Sequence, residues 1–156
     1  MVKKIISIIL VLVWMGLIFS FSNSNGTESG NTSRTIIVFI TERVSSIKDG
    51  TEEMDKVVDR YQLFVRKGAH FFVYYVLAFL VMNCLYIFDV KTKTLLISGI
   101  ICILYAISDE LHQYFISERS GNIVDVMWDS SASLLSSYLY YKFILVRNKH
   151  EKRSIK

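Results

Sequence analysis

The chain has 156 residues, 52% of them apolar, with no proline and a formal charge of +4. That length holds one domain, and three long windows lack a polar stripe, which excludes an ordinary soluble helical protein. The positive charge does not point to nucleic acid, because the basic residues gather at the ends of apolar windows and in the tail "VRNKHEKRSIK", where orientation and anionic lipid account for them.

The first window, Ile5–Phe21, follows Lys3 and Lys4. Lysines, an apolar stretch and small polar residues also outline a secretory signal peptide. Trp14, Met15 and Phe19 make this stretch bulky, and no Ala-x-Ala site follows, so it reads as an uncleaved membrane helix. Residues 22–62 form a polar connection, in which "FSNSNGTESGNTS" predicts a loop. "RTIIVFITERVSSI" repeats Ile36, Phe39 or Ile40, Val44 and Ile47 on one helical face. Too short and too charged to span, it predicts a helix lying on the membrane surface or on the other helices. "TEEMDKVVDRYQLFV" places Met54, Val57, Val58, Tyr61 and Val65 on one side, with Thr51 as N-cap and no breaker before the next window.

The second window is Phe71–Phe88, entered through "VRKGAH"; the third is Leu95–Ile107, which reaches spanning length by continuing to Phe115. The fourth runs over 123–146, with Asp125 and Asp129 in its first turns. The expected fold is all-α: a polytopic membrane protein with transmembrane helices at about 5–21, 66–88, 94–115 and 123–146 and an extracellular amphipathic helical segment between the first and second. One domain, 1–156, ends in a basic cytoplasmic tail over 147–156. Cys84 and Cys102 lie inside apolar windows and read as small apolar side chains.

Orientation follows from basic flanks. Lys3 and Lys4, Lys91 and Lys93, and Arg147, Lys149, Lys152 and Arg153 fall on one side of four spans, which places both termini in the cytoplasm. Arg66, Lys67, His70 and Tyr74 then sit at an outer end, level with Asp109, Glu110, His112 and Gln113, with Arg119 in the outer turn, and with Asp125 and Asp129. Arg66, His70 and Tyr74 share one helical face, and Asp125, Asp129, Ser133 and Ser136 or Ser137 another. Ionisable groups at membrane depth cost about 2.5–3.5 kcal/mol each on insertion scales, so they are expected to face one another or a wet cavity. The carboxylates of the third span are expected to meet the basic and imidazole groups of the second and the aspartates of the fourth. Of His112 and Gln113, one is expected to face outward.

"RKGAHFFVYYVLAF", "SDELHQYF" and "RSGNIVDVMWD", in this order, resemble the VanZ-like membrane proteins, as does "WMGLIFSFSNSNG" at the first helix. The resemblance covers the chain except 34–62 and the tail. It implies a small bacterial polytopic membrane protein linked to tolerance of the glycopeptide teicoplanin, with no mechanism attached. The carry-over is to Arg66, Lys67, His70, Asp109, Glu110, Gln113, Arg119 and Asp125. The chain departs from the family pattern at Ser117-Glu118, where Pro-Gly is common, and at Asp129 and Ala132, where Asn and Gly are common.

The expected function is recognition of an amphiphile at the outer leaflet: a lipid-linked cell-wall precursor or a lipoglycopeptide, among membrane lipids. Arg66, Lys67 and Arg119 suit phosphate or carboxylate, and His70 with Asp109 or Glu110 suits acid–base work. No nucleophile motif or phosphate loop marks an enzyme, so catalysis is left open. The alternative is a structural or partner subunit of envelope machinery, in which the polar cluster only fixes helix packing. His70, Asp109, Glu110 and Asp125 offer metal-binding atom types without a diagnostic spacing, and no metal or cofactor is expected.

Overall fold

A computed structural model describes residues 1–90, 93–117 and 121–154, with side chains to Arg147. Among these residues the chain is helical throughout: α1 (Val2–Ser22), α2 (Gly26–Val44), α3 (Glu52–Ile87), α4 (Thr94–Tyr114) and α5 (Ile123–Ser154). Helices α1, α3 and α4 are each long and apolar enough to cross a membrane. Arg119 and Lys91 lie outside the described residues.

Helix α3 is the organising element and touches every other helix. Its 36 residues make a rod of about 54 Å, well beyond the ~30 Å a membrane core requires. The expected continuity between the Thr51-capped segment and the second window is therefore present. Thr51 accepts from the Met54 N–H, and three acids, Glu52, Glu53 and Asp55, occupy the first turn, where the helix dipole favours them. Ile18, Tyr74, Leu77, Ala78, Val81, Cys102, Ala106 and Ala132 form the core where α1, α3, α4 and α5 meet. Cys102 is fully buried and Cys84 half-buried, both as free thiols.

The interior of α5 is polar. Asp129, Ser133, Ser136 and Ser137 are buried, while Met127, Leu134, Leu135, Tyr138 and Phe143 are exposed. The small hydroxyl side chains let neighbouring helices approach, and Ser98 bonds Ser137 across α4 and α5 at 2.9 Å. The serine stripe expected on one side of this helix is thus its contact face.

One reading of the 22–62 connection is corrected. Residues 26–33, expected as loop, are the first turns of α2. Asn25 accepts from the Glu28 N–H at 2.8 Å, and Glu28 reaches back to the Asn25 N–H, a reciprocal cap that starts the helix inside a Ser/Asn/Gly-rich stretch. Of the two places expected for the apolar face of α2, the membrane surface or the other helices, the second is not the one taken. Ser33 and Ile37 face inward, and Ile37 joins Met54 and Val58 of α3 in a second small core with Ile47 at its edge. Ile36, Phe39, Ile40 and Val44 are exposed, as is Tyr61. The chain turns back at Gly50, whose φ of +79° suits a residue without a Cβ.

Candidate functional site

The polar residues singled out in the sequence come together at one end of the bundle. Arg66, Lys67, His70, Glu110, Gln113, Asp125 and Asp129 all line one cavity of about 340 Å³. Tyr74, one turn below His70, is fully buried at the base of this group, and Asp109 is withdrawn beside it with 4% exposure. Arg119, expected here, is outside the described residues.

Each side chain is positioned by a helix that the core fixes. From α3, the Lys67 ammonium stands 3.1 Å from Asp125 Oδ1, and His70 Nδ1 stands 3.5 Å from Asp129 Oδ2. The close pairs therefore run from α3 to α5. The expected meeting of an α4 carboxylate with the α3 imidazole and an α5 aspartate is present at Asp109, which lies within 4.8 Å of His70 and Asp129, while the shortest bonds of the α4 carboxylates run elsewhere. Glu110 Oε1 accepts from the Asn122 backbone N–H at 2.6 Å, tying the end of α4 to the start of α5. Asp109 Oδ2 accepts from the Gln113 amide at 3.1 Å, one turn along the same helix. The Gln113 amide also donates to Ser22 of α1 at 3.3 Å, so α1 helps to fix the α4 carboxylate. His112 leaves the cavity and stacks on Phe19 of α1 with ring centroids 4.6 Å apart.

Arg66 donates to the Gly26 carbonyl at the start of α2, at 3.4 Å. It also stands on a boundary. A second crevice of about 250 Å³ shares Arg66 and His70 with the polar cavity but is otherwise walled by Ile18, Phe21, Ile36, Val65, Ala69 and Val73, with serines at its rim. The polar and the apolar spaces meet at these two residues.

Four contributors were not anticipated. Trp128 lines the cavity and its indole N–H donates to the Lys67 carbonyl at 3.0 Å, and Leu63 supplies an apolar rim. Trp128 falls three residues after Asp125, a helical spacing that signals a shared face. Asn122 caps α5, its side chain accepting from the Val124 N–H at 3.0 Å, as its type and place before an apolar run suggest. Ser22 carried no such signal.

The VanZ/LLP1 family model matches residues 7–146. The chain belongs to this family. No curated protein and no solved structure matches it. The matched stretch includes every residue that lines the polar cavity, from Leu63 to Asp129.

Proposed function

We propose that this VanZ/LLP1 protein is a four-span membrane protein whose cavity opens at the outer leaflet. There it binds the polar head of an amphiphile, either a lipid-linked envelope precursor or a lipoglycopeptide such as teicoplanin. One observation carries the reading: a polar cavity holding cations and carboxylates abuts an apolar crevice, and Arg66 and His70 belong to both. Such a pair of spaces suits a ligand with a hydrogen-bonding head and an acyl chain. The Lys67 and Arg66 groups favour phosphate or carboxylate in that head.

The orientation rests on the opposite end of the bundle. Lys4 lies over the Phe88 ring and Arg147 over the Tyr86 ring, and Lys93 caps α4 at the same end. By the positive-inside rule that end is cytoplasmic, which makes the cavity extracytoplasmic and α2 an external helix. The fourth span is α5, whose polar face is turned into the bundle and whose apolar face is turned out. The exposed Ile36, Phe39, Ile40 and Val44 of α2 then rest in the outer interface.

The test is teicoplanin susceptibility of cells expressing the protein, normalised to its abundance in the membrane. Glu110→Gln and His70→Ala, at wild-type membrane levels, are expected to return susceptibility to that of cells without the protein. Full tolerance with either variant removes the cavity from the function. Tolerance that falls only in step with folded protein favours the structural role instead, for which the Lys67–Asp125 and Glu110–Asn122 ties between helices speak.

A further inference from the structure

Beneath the cavity, three helices contribute one potential ligand atom each to a small space. Oxygen atoms of Asp109 (α4) and Asp129 (α5) and a ring nitrogen of His70 (α3) all lie within 4.8 Å of one another. Both aspartates are deeply buried, at 4% and 2% exposure. Each has a second oxygen, Oδ1, that is buried without a hydrogen-bond partner. The Tyr74 hydroxyl is buried beside them, next to Asp109. A buried acceptor left unmade costs about 1–3 kcal/mol, and more when the group is charged. Two in one place, a few ångströms apart, is an arrangement that helix packing does not explain.

We propose that His70, Asp109 and Asp129 form a binding site for a divalent transition cation, zinc or manganese, at the floor of the cavity. The donor set of one imidazole and two carboxylates is of the borderline kind that these ions accept. Ligand atoms on a tetrahedral ion with bonds of about 2.0 Å stand about 3.3 Å apart. The His70–Asp129 separation of 3.5 Å already meets this, and rotation of the Asp109 carboxylate closes the rest. Charge points the same way. Among the described residues at this end, Asp109, Glu110, Asp125 and Asp129 face two permanent cations, Arg66 and Lys67. With a neutral imidazole, the excess is the charge one divalent ion supplies. Outer support is in place as well, since Gln113 donates to Asp109 Oδ2 and leaves Oδ1 to turn inward.

His70 and Asp129 also line the cavity, so the side of the ion away from Asp109 faces the bound molecule. Three protein ligands with an open position is the form taken by zinc sites that act on what they bind. The cation site stands on the placement of these three residues. Its use in gripping an anionic head group rests on the ligand reading proposed above.

The experiment uses the full-length protein in detergent micelles, stripped with a chelator and titrated with Zn²⁺ and with Mn²⁺. Zinc is read by competition with a chromophoric chelator, and manganese by the loss of the free-ion paramagnetic signal. One ion per chain is expected, bound at least about tenfold more weakly in Asp129→Asn and in Asp109→Asn, with no change in the remote control Asp49→Asn. The wild type alone provides a second readout, since an ion that binds only the folded chain raises its melting temperature, with the logarithm of its free concentration once that exceeds Kd. Folded wild-type protein that takes up neither ion and shows no thermal shift overturns the site. So does binding that persists unchanged in folded Asp109→Asn and Asp129→Asn. Co-purifying lipid is scored separately by mass spectrometry. Ion uptake without a retained amphiphile upholds the cation site and removes only its head-group role.

Discussion

The two ends of the bundle treat charge in opposite ways. At one, Lys4 and Arg147 are exposed and rest on the rings of Phe88 and Tyr86, with Arg147 also donating to the Tyr86 hydroxyl at 2.6 Å. At the other, Asp109, Glu110 and Asp129 are buried, and two of their oxygens find no partner. The first arrangement costs little, because each cationic head stays in water while its stem covers apolar surface. The second is held against a desolvation penalty and gives helix packing nothing that apolar residues would not give. The lesson is one of economy in explanation: on the readings proposed above, orientation and lipid account for the basic end, whereas the buried end is accounted for by something it binds.

The sharpest way to break this contrast is Glu110→Ala. It leaves the Asn122 N–H, now held at 2.6 Å, without its charged acceptor at the α4–α5 turn. The expected loss is about 2 kcal/mol, read as the shift in an unfolding curve with rising dodecyl sulfate fraction in mixed micelles. Glu110→Gln keeps an acceptor and is expected to lose less than half as much. An alanine variant as stable as wild type makes the cavity end as tolerant as the basic end.

The same turn gives the next effect. A Cβ on Gly121 would lie 3.1 Å from Tyr114 Cβ and 3.2 Å from the Glu110 carbonyl oxygen, neither of which is the far end of a flexible side chain. Gly121→Ala is expected to cost about 1–2 kcal/mol in the same titration, by pushing Asn122 away from Glu110. At the basic end, Arg147→Gln is expected to change stability by no more than about 0.5 kcal/mol, although it removes a short hydrogen bond, because the group it frees is solvated. A larger loss from Arg147→Gln than from Gly121→Ala inverts the comparison.

Much of this was legible because membrane helices announce themselves by uninterrupted apolar length. The Thr51 cap, the serine stripe of α5 and the gathering of the polar residues at one end all follow from positions along such helices. Depth could be read, since it needs only a count from a helix end. Pairing could not: nothing in the order of residues says that Lys67 pairs with Asp125 of α5. The opening of α2 misled, because it is rich in Ser, Asn and Gly, and only the Asn25–Glu28 reciprocity turns that stretch into a helix. Its most apolar face, Ile36, Phe39, Ile40 and Val44, points away from the protein, and periodicity alone could not choose between a membrane surface and the other helices.

The smallest expected effect lies at the far tip of the α2–α3 hairpin, where charge is exposed and paired. Arg34 meets Asp49 at 2.9 Å and Asp55 at 2.8 Å. Its guanidinium, aided by the Gly50 N–H, holds the Asp49 carboxyl below its ordinary range. A carboxyl depressed in the folded state contributes stability above its unfolded value and loses it as pH falls through the folded one. Hydrogen-exchange protection of residues 45–51 is therefore expected to be level from pH 8 to 6 and to decline below about pH 4, the unfolded aspartate range. Salt is expected to weaken the same protection at neutral pH, since nothing shields this pair from ions. The Asp49→Asn protein isolates the cause, because it cannot lose a charge it lacks. A decline of equal size in that variant assigns the acid response to other carboxylates and leaves the tip held by Thr51 capping and by the small core of Ile37, Met54 and Val58 alone.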